Sequence, residues 1–264
     1  MLKNLKLMLT FKKYGIMEWA EYRFDFVIGI IAMILANLLT VFMFFVIFLY
    51  VPNINGWSLY QVLFISGFMT FSMGIWHVLF QRMSPWSVEG TIWSGDFDRM
   101  LLKPMSTITQ FLYSGFDLDG LGDTAIGLAI LVYASSQMGM VWTLPLLVMA
   151  AVLIASSVVI FTSLNTIFAS MNFHFTRSRA FSNLFFSTTD FARYPLDIFN
   201  PMVAVLLTFV FPIAFISYYP AQAFLGRGLN MGLAYASPLV ALIMVFVAHR
   251  FWKFGLKKYG SVGH

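Results

Sequence analysis

Hydrophobic residues run along this chain in long fields separated by short polar intervals. No Asp, Glu, Lys or Arg occurs in residues 26–81, 124–176 or 228–249. Each field exceeds the roughly 20 residues that cross a hydrocarbon core about 30 Å thick. Divided at their turn residues, the fields predict six membrane-spanning helices, at about 26–49, 59–80, 108–135, 143–169, 200–218 and 231–251. Pro52, Asn53, Asn55 and Gly56 supply the turn between the first two. Residues 1–25 differ, because Leu5, Met8, Leu9, Ile16 and Trp19 alternate with Lys6, Lys12, Lys13, Glu18, Glu21 and Arg23. That pattern predicts an amphipathic helix lying in the membrane interface, with Trp19 and Tyr22 at headgroup level. Residues 219–229 read as an apolar hairpin, and the mixed segment 171–199 fits no single element. The expected fold is all-α, a polytopic membrane protein forming one transmembrane domain over 1–264.

Composition agrees. Of 264 residues, 60% are hydrophobic and 10% charged, against about 25% charged in a soluble domain. The net charge of +5 sits mostly at the termini and in two short loops, which suits an anionic leaflet and not nucleic acid. With the N-terminus cytoplasmic, fourteen Lys and Arg fall on that side and Arg227 alone on the other, with Arg193 unassigned. Both termini are therefore expected in the cytoplasm. The absence of cysteine excludes disulfides, thiolate metal sites and a Cys nucleophile. The four histidines form no H-x-x-x-H pair, so no metal site is expected. No G-x-x-x-x-G-K-[ST] loop is present to cradle a nucleoside triphosphate, and no G-x-S-x-G marks a nucleophile. No catalytic function is expected of this chain.

The interval 82–105 is the largest polar stretch. Ser84 before Pro85 reads as an N-cap followed by proline at the first helical position. Gly95 ends that helix, Asp96 caps a second, and Pro104 stops it. The first carries Trp86, Val88, Ile92 and Trp93 beside Glu89; the second carries Phe97, Met100 and Leu101 beside Asp98 and Arg99. Two readings stay open, a docking platform for a soluble partner or an interfacial loop without one.

The third expected span contains Asp117, Asp119 and Asp123. A lipid-facing Asp at mid-membrane costs about 3 kcal/mol, so these carboxylates are expected to face protein. At 3.6 residues per turn, Gly115, Asp119, Asp123 and Gly127 share one face and Asp117 points elsewhere. The carboxylates either line a path that contacts substrate or a basic partner, for which Arg193 is the candidate, or are held in a packed, hydrogen-bonded interface. Pro201 and Pro212 fall at the ends of the fifth span, and Pro220 opens the hairpin. Tyr218, Tyr219 and Phe224 read as interface anchors.

Three runs resemble ABC-2-type permeases. Gly95-Asp96-Phe97-Asp98-Arg99-Met100-Leu101-Leu102-Lys103-Pro104 looks like the G-x-x-D-x-x-L-L-x-P stretch after their second span. Phe211-Pro212-Ile213-Ala214-Phe215-Ile216-Ser217-Tyr218-Tyr219-Pro220-Ala221 resembles the proline-flanked end of span 5 in one branch, and Gly255 to Gly263 resembles a C-terminal G-x-x-x-Y-x-S-x-G pattern. The resemblance implies the transmembrane half of an ATP-driven exporter in the bacterial cytoplasmic (inner) membrane. Two such halves pair, as a homodimer or heterodimer surrounded by lipid, and rest on two separate ABC ATPase subunits that hold ATP and Mg; no cofactor is implied in this chain. It places the ATPase contact near Glu89, Asp96, Asp98 and Arg99, and an outer hairpin at 219–229. The segment 171–199 is longer than the cytoplasmic loop many members have. The alternatives are a proton-coupled secondary transporter that relays protons through the third-span aspartates, and a scaffold without transport.

Overall fold

A computed structural model describes residues 23–175, 179–227 and 231–261. The interfacial helix expected over 1–25 falls almost entirely outside them. The described residues are helical, with one isolated bridge between Ile54 and Trp57. Four helices are long and apolar enough to cross a membrane: Val27–Tyr50, Leu59–Trp93, Leu144–Phe173 and Ser237–Leu256. A shorter apolar helix covers Pro201–Val210.

The first long element, α1 (Arg23–Tyr50), is followed by α2 (Leu59–Phe80). A capping box starts α2: the Ser58 hydroxyl accepts from the Gln61 amide, and the Gln61 side chain accepts from the Ser58 amide at 3.0 Å. Two short helices come next, α3 (Pro85–Trp93) and α4 (Asp96–Leu101), then α5 (Thr107–Tyr113), α6 (Gly120–Gln137) and α7 (Leu144–Ser170). Beyond a 3-10 turn at Met171–Phe173 lie α8 (Arg179–Thr189) and 3-10 turns at Asp190–Arg193 and Leu196–Ile198. The chain closes with α9 (Pro201–Val205), α10 (Tyr218–Leu225), α11 (Met231–Ala234) and α12 (Ser237–Leu256).

The bundle is organised around α2, which packs most extensively on α6. Glycines let the two backbones meet: a Cβ on Gly67 would stand 2.9 Å from Ile130 Cγ2, and one on Gly120 2.7 Å from His77 Cβ. The second major pair is α7 with α12, where Gly255 sits against Ser170 and Phe173. Helix α1 lies outside, touching α6 at Gly122 and burying Asn37 and Phe44, while Leu35, Leu39, Phe42 and Leu49 are exposed.

Four expectations need correction. The third span is not one helix: α5 and α6 are separated by residues 114–119, where Gly115 has positive φ and the Asp117 amide donates to Val78 O at 3.1 Å. Only Asp123 and Gly127 of the expected face share helix α6, and Asp119 stands at its N-cap. The fifth span is also displaced. Arg179 pairs with Glu89 at the α3 end of the bundle, whereas Asp197 bonds Trp57 and Asn55 at the opposite end, so residues 179–197 traverse it. Residues 201–227 enter and leave at that opposite end. Helix α9 continues through a π-turn at Leu206–Val210, and Pro212, lacking an N–H, stops it with Phe211 in the extended backbone that precedes proline. Finally, Tyr218 and Tyr219 are 1% and 4% exposed, so they are core residues and not interface anchors. The last helix runs Ser237–Leu256, later than the expected 231–251.

Candidate functional site

At the α3 end, a small second core forms from Met83, Val88, Ile92, Phe97, Phe111, Ala169, Phe173 and Trp252. It gathers α3 and α4 onto the ends of α5, α7 and α12 as a platform. Local chemistry starts α3 as expected: Ser84 accepts from the Ser87 amide at 3.3 Å, with Pro85 at the first turn. Gly95 has φ 74, a left-handed conformation that costs glycine little, and lets α4 follow at once. Gly95, not Asp96, is therefore the residue before α4, and Asp96 is its first member. Asn172 donates to Pro85 O at 2.8 Å, and the Trp86 ring stacks on Phe186 at 4.1 Å.

The platform carries all four expected contact residues, in three different settings. Glu89 is buried and ion-paired with exposed Arg179 at 3.5 Å; the two line a cleft of about 650 Å³ with Trp86, Gly90 and Trp93. Asp96 and Arg99 form an exposed pair at 3.0 Å, and the Ser94 hydroxyl donates to Asp96 at 2.8 Å. Asp98 accepts from the Tyr259 phenol at 2.9 Å and the Ser261 hydroxyl at 2.7 Å. Burial, this hydrogen bond and the Asp98 charge push the Tyr259 phenol up to about 12. An exposed edge remains, made by Trp93, Arg99, Leu101 and Leu102.

Deeper in the bundle lies a polar cluster. Asn37 of α1 donates to Asp123 Oδ1 at 2.6 Å and to Met33 O at 2.9 Å. His77 Nδ1 stands 3.3 Å from Asp123 Oδ2, and its Nε2 is 3.9 Å from Asp117 Oδ1. Arg193 donates to Thr70 at 2.8 Å and to Asn37 Oδ1 at 3.3 Å, and pairs with Asp190 at 3.6 Å. The expected partnership of Arg193 with the aspartates is thus indirect: Asn37 stands between Arg193 and Asp123. The Asp119 amide donates to Asp117 Oδ1 at 3.3 Å, but its carboxylate stays outside this chain of bonds, with Oδ1 lying where a Cβ on Gly29 would be 2.5 Å away. Sequence reasoning missed His77, Thr70 and Asn37. Thr70 and His77 recur seven residues apart, and Asn37 interrupts the apolar run Val27–Tyr50; those were the available signals.

At the far end, Trp57 Nε1 donates to both Asp197 oxygens at 2.8 and 2.9 Å, and the Arg227 guanidinium lies 5.1 Å over the Trp57 ring. Arg227 also bonds Gly56 O. Tyr218 packs on Trp57 with centroids 6.1 Å apart, Tyr219 meets the Thr208 hydroxyl at 3.3 Å, and Pro220 is buried beside them. These residues hold the hairpin to the bundle.

A helical bundle with several membrane-length apolar helices is the architecture of a polytopic membrane protein. The chain belongs to the ABC-2 family: the model described as ABC-2 family transporter protein matches residues 33–263. Members are the transport component in the membrane, not the catalytic one, and generally work with ABC ATPase subunits. No curated protein and no solved structure gives a match.

Proposed function

We propose that this chain is the membrane-spanning half of an ATP-driven exporter, with two ATPase subunits docked on the α3–α4 platform and a second permease, identical or different, completing the path. ATP and Mg sit on the ATPases. In this reading six crossings are made by α1, α2, α5 with α6, α7, residues 179–197, and α12, with both termini on the cytoplasmic side of the inner membrane. The platform carries this reading. It follows α2 directly through the 3-10 turn Gln81–Met83 and rests on α7 and α12, yet leaves Trp93, Arg99, Leu101 and Leu102 open to a soluble partner. Closure of paired ATPases pushes the platform, and the push passes into helices packed on it. The exposed face of α1 is then available to lipid or to the second permease, with transport at the interface between the two halves. We assign the Asp117–His77–Asp123–Asn37 cluster to holding α1, α2 and α6 together, since its groups bond one another.

The test uses the natural absence of cysteine. Leu102, 87% exposed, is replaced by cysteine (Leu102→Cys) and the chain is isolated from its own membrane. The expected result is a co-purifying protein with a G-x-x-x-x-G-K-[ST] loop that cross-links to position 102. Free labelling of that position in native membranes, with no ATPase recovered, overturns the reading.

A further inference from the structure

Helix α4 has six residues, far fewer than the roughly 12–15 at which an isolated helix becomes even marginally stable. Its N-terminal Gly95 offers no side-chain cap, and the Asp96–Arg99 pair is exposed and contributes little. The orientation of α4 is therefore imposed by its surroundings. One end is tied by Gln110, which donates to Met100 O at 2.8 Å. The other is held by the C-terminal tail. After α12 the chain turns through a Lys258 amide to Gly255 O bond at 2.8 Å, and this turn brings Tyr259 over Phe97, with ring centroids 4.7 Å apart, and against Phe173 at 5.9 Å. From there the Tyr259 phenol and Ser261 hydroxyl both donate to the carboxylate of Asp98, one to each oxygen. Helix α3 needs none of this, because Asn172 and Phe186 attach it separately.

We infer that the C-terminal tail is a strut: Tyr259 and Ser261 are positioning residues that hold α4 at the angle at which it meets the ATPase. The inference rests on the platform being the ATPase seat. Two hydroxyls on one carboxylate fix both the height and the rotation of a one-and-a-half-turn helix, which a single contact cannot. The strut is the end of α12, whose other end touches the 3-10 turn Pro212–Phe215 through the Ser237 hydroxyl, which donates to Phe215 O at 3.2 Å. Movement of α12 therefore reaches α4 directly through Tyr259 and Ser261.

The test is made on the permease–ATPase complex in nanodiscs. Tyr259→Phe with Ser261→Ala removes both donors while keeping the ring over Phe97. Loss of the two bonds together lowers the docked population of the tail about tenfold. The expected result is faster amide exchange in residues 96–101 but not 85–93, an unchanged amount of bound ATPase, and ATP turnover reduced about tenfold on the same grounds. A second variant, Asp98→Cys with Ser261→Cys in this otherwise cysteine-free chain, replaces the bond with a covalent one. Oxidation restores turnover and exchange protection, and reduction removes both, which a general loss of folding would not reproduce. Unchanged exchange in residues 96–101, or turnover that ignores oxidation, overturns the inference. If the wild-type chain binds no ATPase, the functional reading fails instead, and the exchange data still decide whether the tail holds α4.

Discussion

Asp123 shows how a carboxylate is kept among membrane-spanning helices: both its oxygens are used, one by Asn37 and one by His77. Asp123→Leu leaves one Asn37 N–H and His77 Nδ1 without their acceptor in a buried site, at a cost of about 1–3 kcal/mol for each unsatisfied group. Asp123→Asn keeps an acceptor for Asn37 and is expected to cost less. Thermal unfolding in detergent ranks the two, and equal midpoints would show that the cluster does not hold the helices. If that cluster is structural, Asp123→Asn also retains transport. A second residue-scale expectation concerns Tyr259. Its phenol is raised in the folded chain from 10.0 to about 12, so the contribution of the neutral phenol is complete below the lower value. It is lost as pH rises through the upper one. Phenolate absorbance followed against tail exchange checks this, and tail release already complete near pH 9 contradicts it.

Among elements, the α2–α6 contact depends on residues without side chains. A Cβ at Gly127 would run into the Phe71 backbone, which cannot rotate aside as a side chain does. Gly127→Ala is therefore expected to destabilise by about 1–3 kcal/mol through overpacking. Gly90, in α3, has open space around its missing Cβ, and Gly90→Ala is expected to be neutral or stabilising by up to about 1 kcal/mol. The contrast, measured by thermal unfolding, separates close approach from helix propensity. These same elements divide sharply in what their residues disclosed. The start of α3 at Ser84-Pro85 and its stop at Gly95 were readable because capping is local, decided within a few residues. The break at 114–119 was not, because it is stabilised by Val78 O, a group far away in the chain. Residues 179–197 were unreadable for a related reason. Their polar groups, Arg193 and Asp197, look like loop residues until Asn37, Thr70 and Trp57 are brought to them.

For the whole molecule, the path of residues 179–227 decides the topology. Single cysteines at Ala180→Cys and Leu102→Cys are expected to react with an impermeant maleimide from one side of the membrane, and Pro201→Cys and Pro52→Cys from the other. A crossing at 200–218 instead puts positions 180 and 201 on the same side, so shared accessibility of those two would displace the crossing assigned here. The hairpin at 201–227 belongs to one end of the bundle only if the traverse precedes it.

The amino-acid order alone settled that this is a helical membrane protein, that 82–105 makes paired short helices, and, through the runs from Gly95, Phe211 and Gly255, which family it resembles. Those properties depend on local composition and spacing, and water or lipid enforces them without knowledge of distant residues. The course of residues 179–197 along the bundle, the interior position of Tyr218 and Tyr219, and the pairing of Asp123 with His77 and of Asp98 with Tyr259 were decided only in three dimensions. A polar group among membrane-spanning helices takes whichever partner the packing delivers, and packing here is set by where glycines let one helix lie against another.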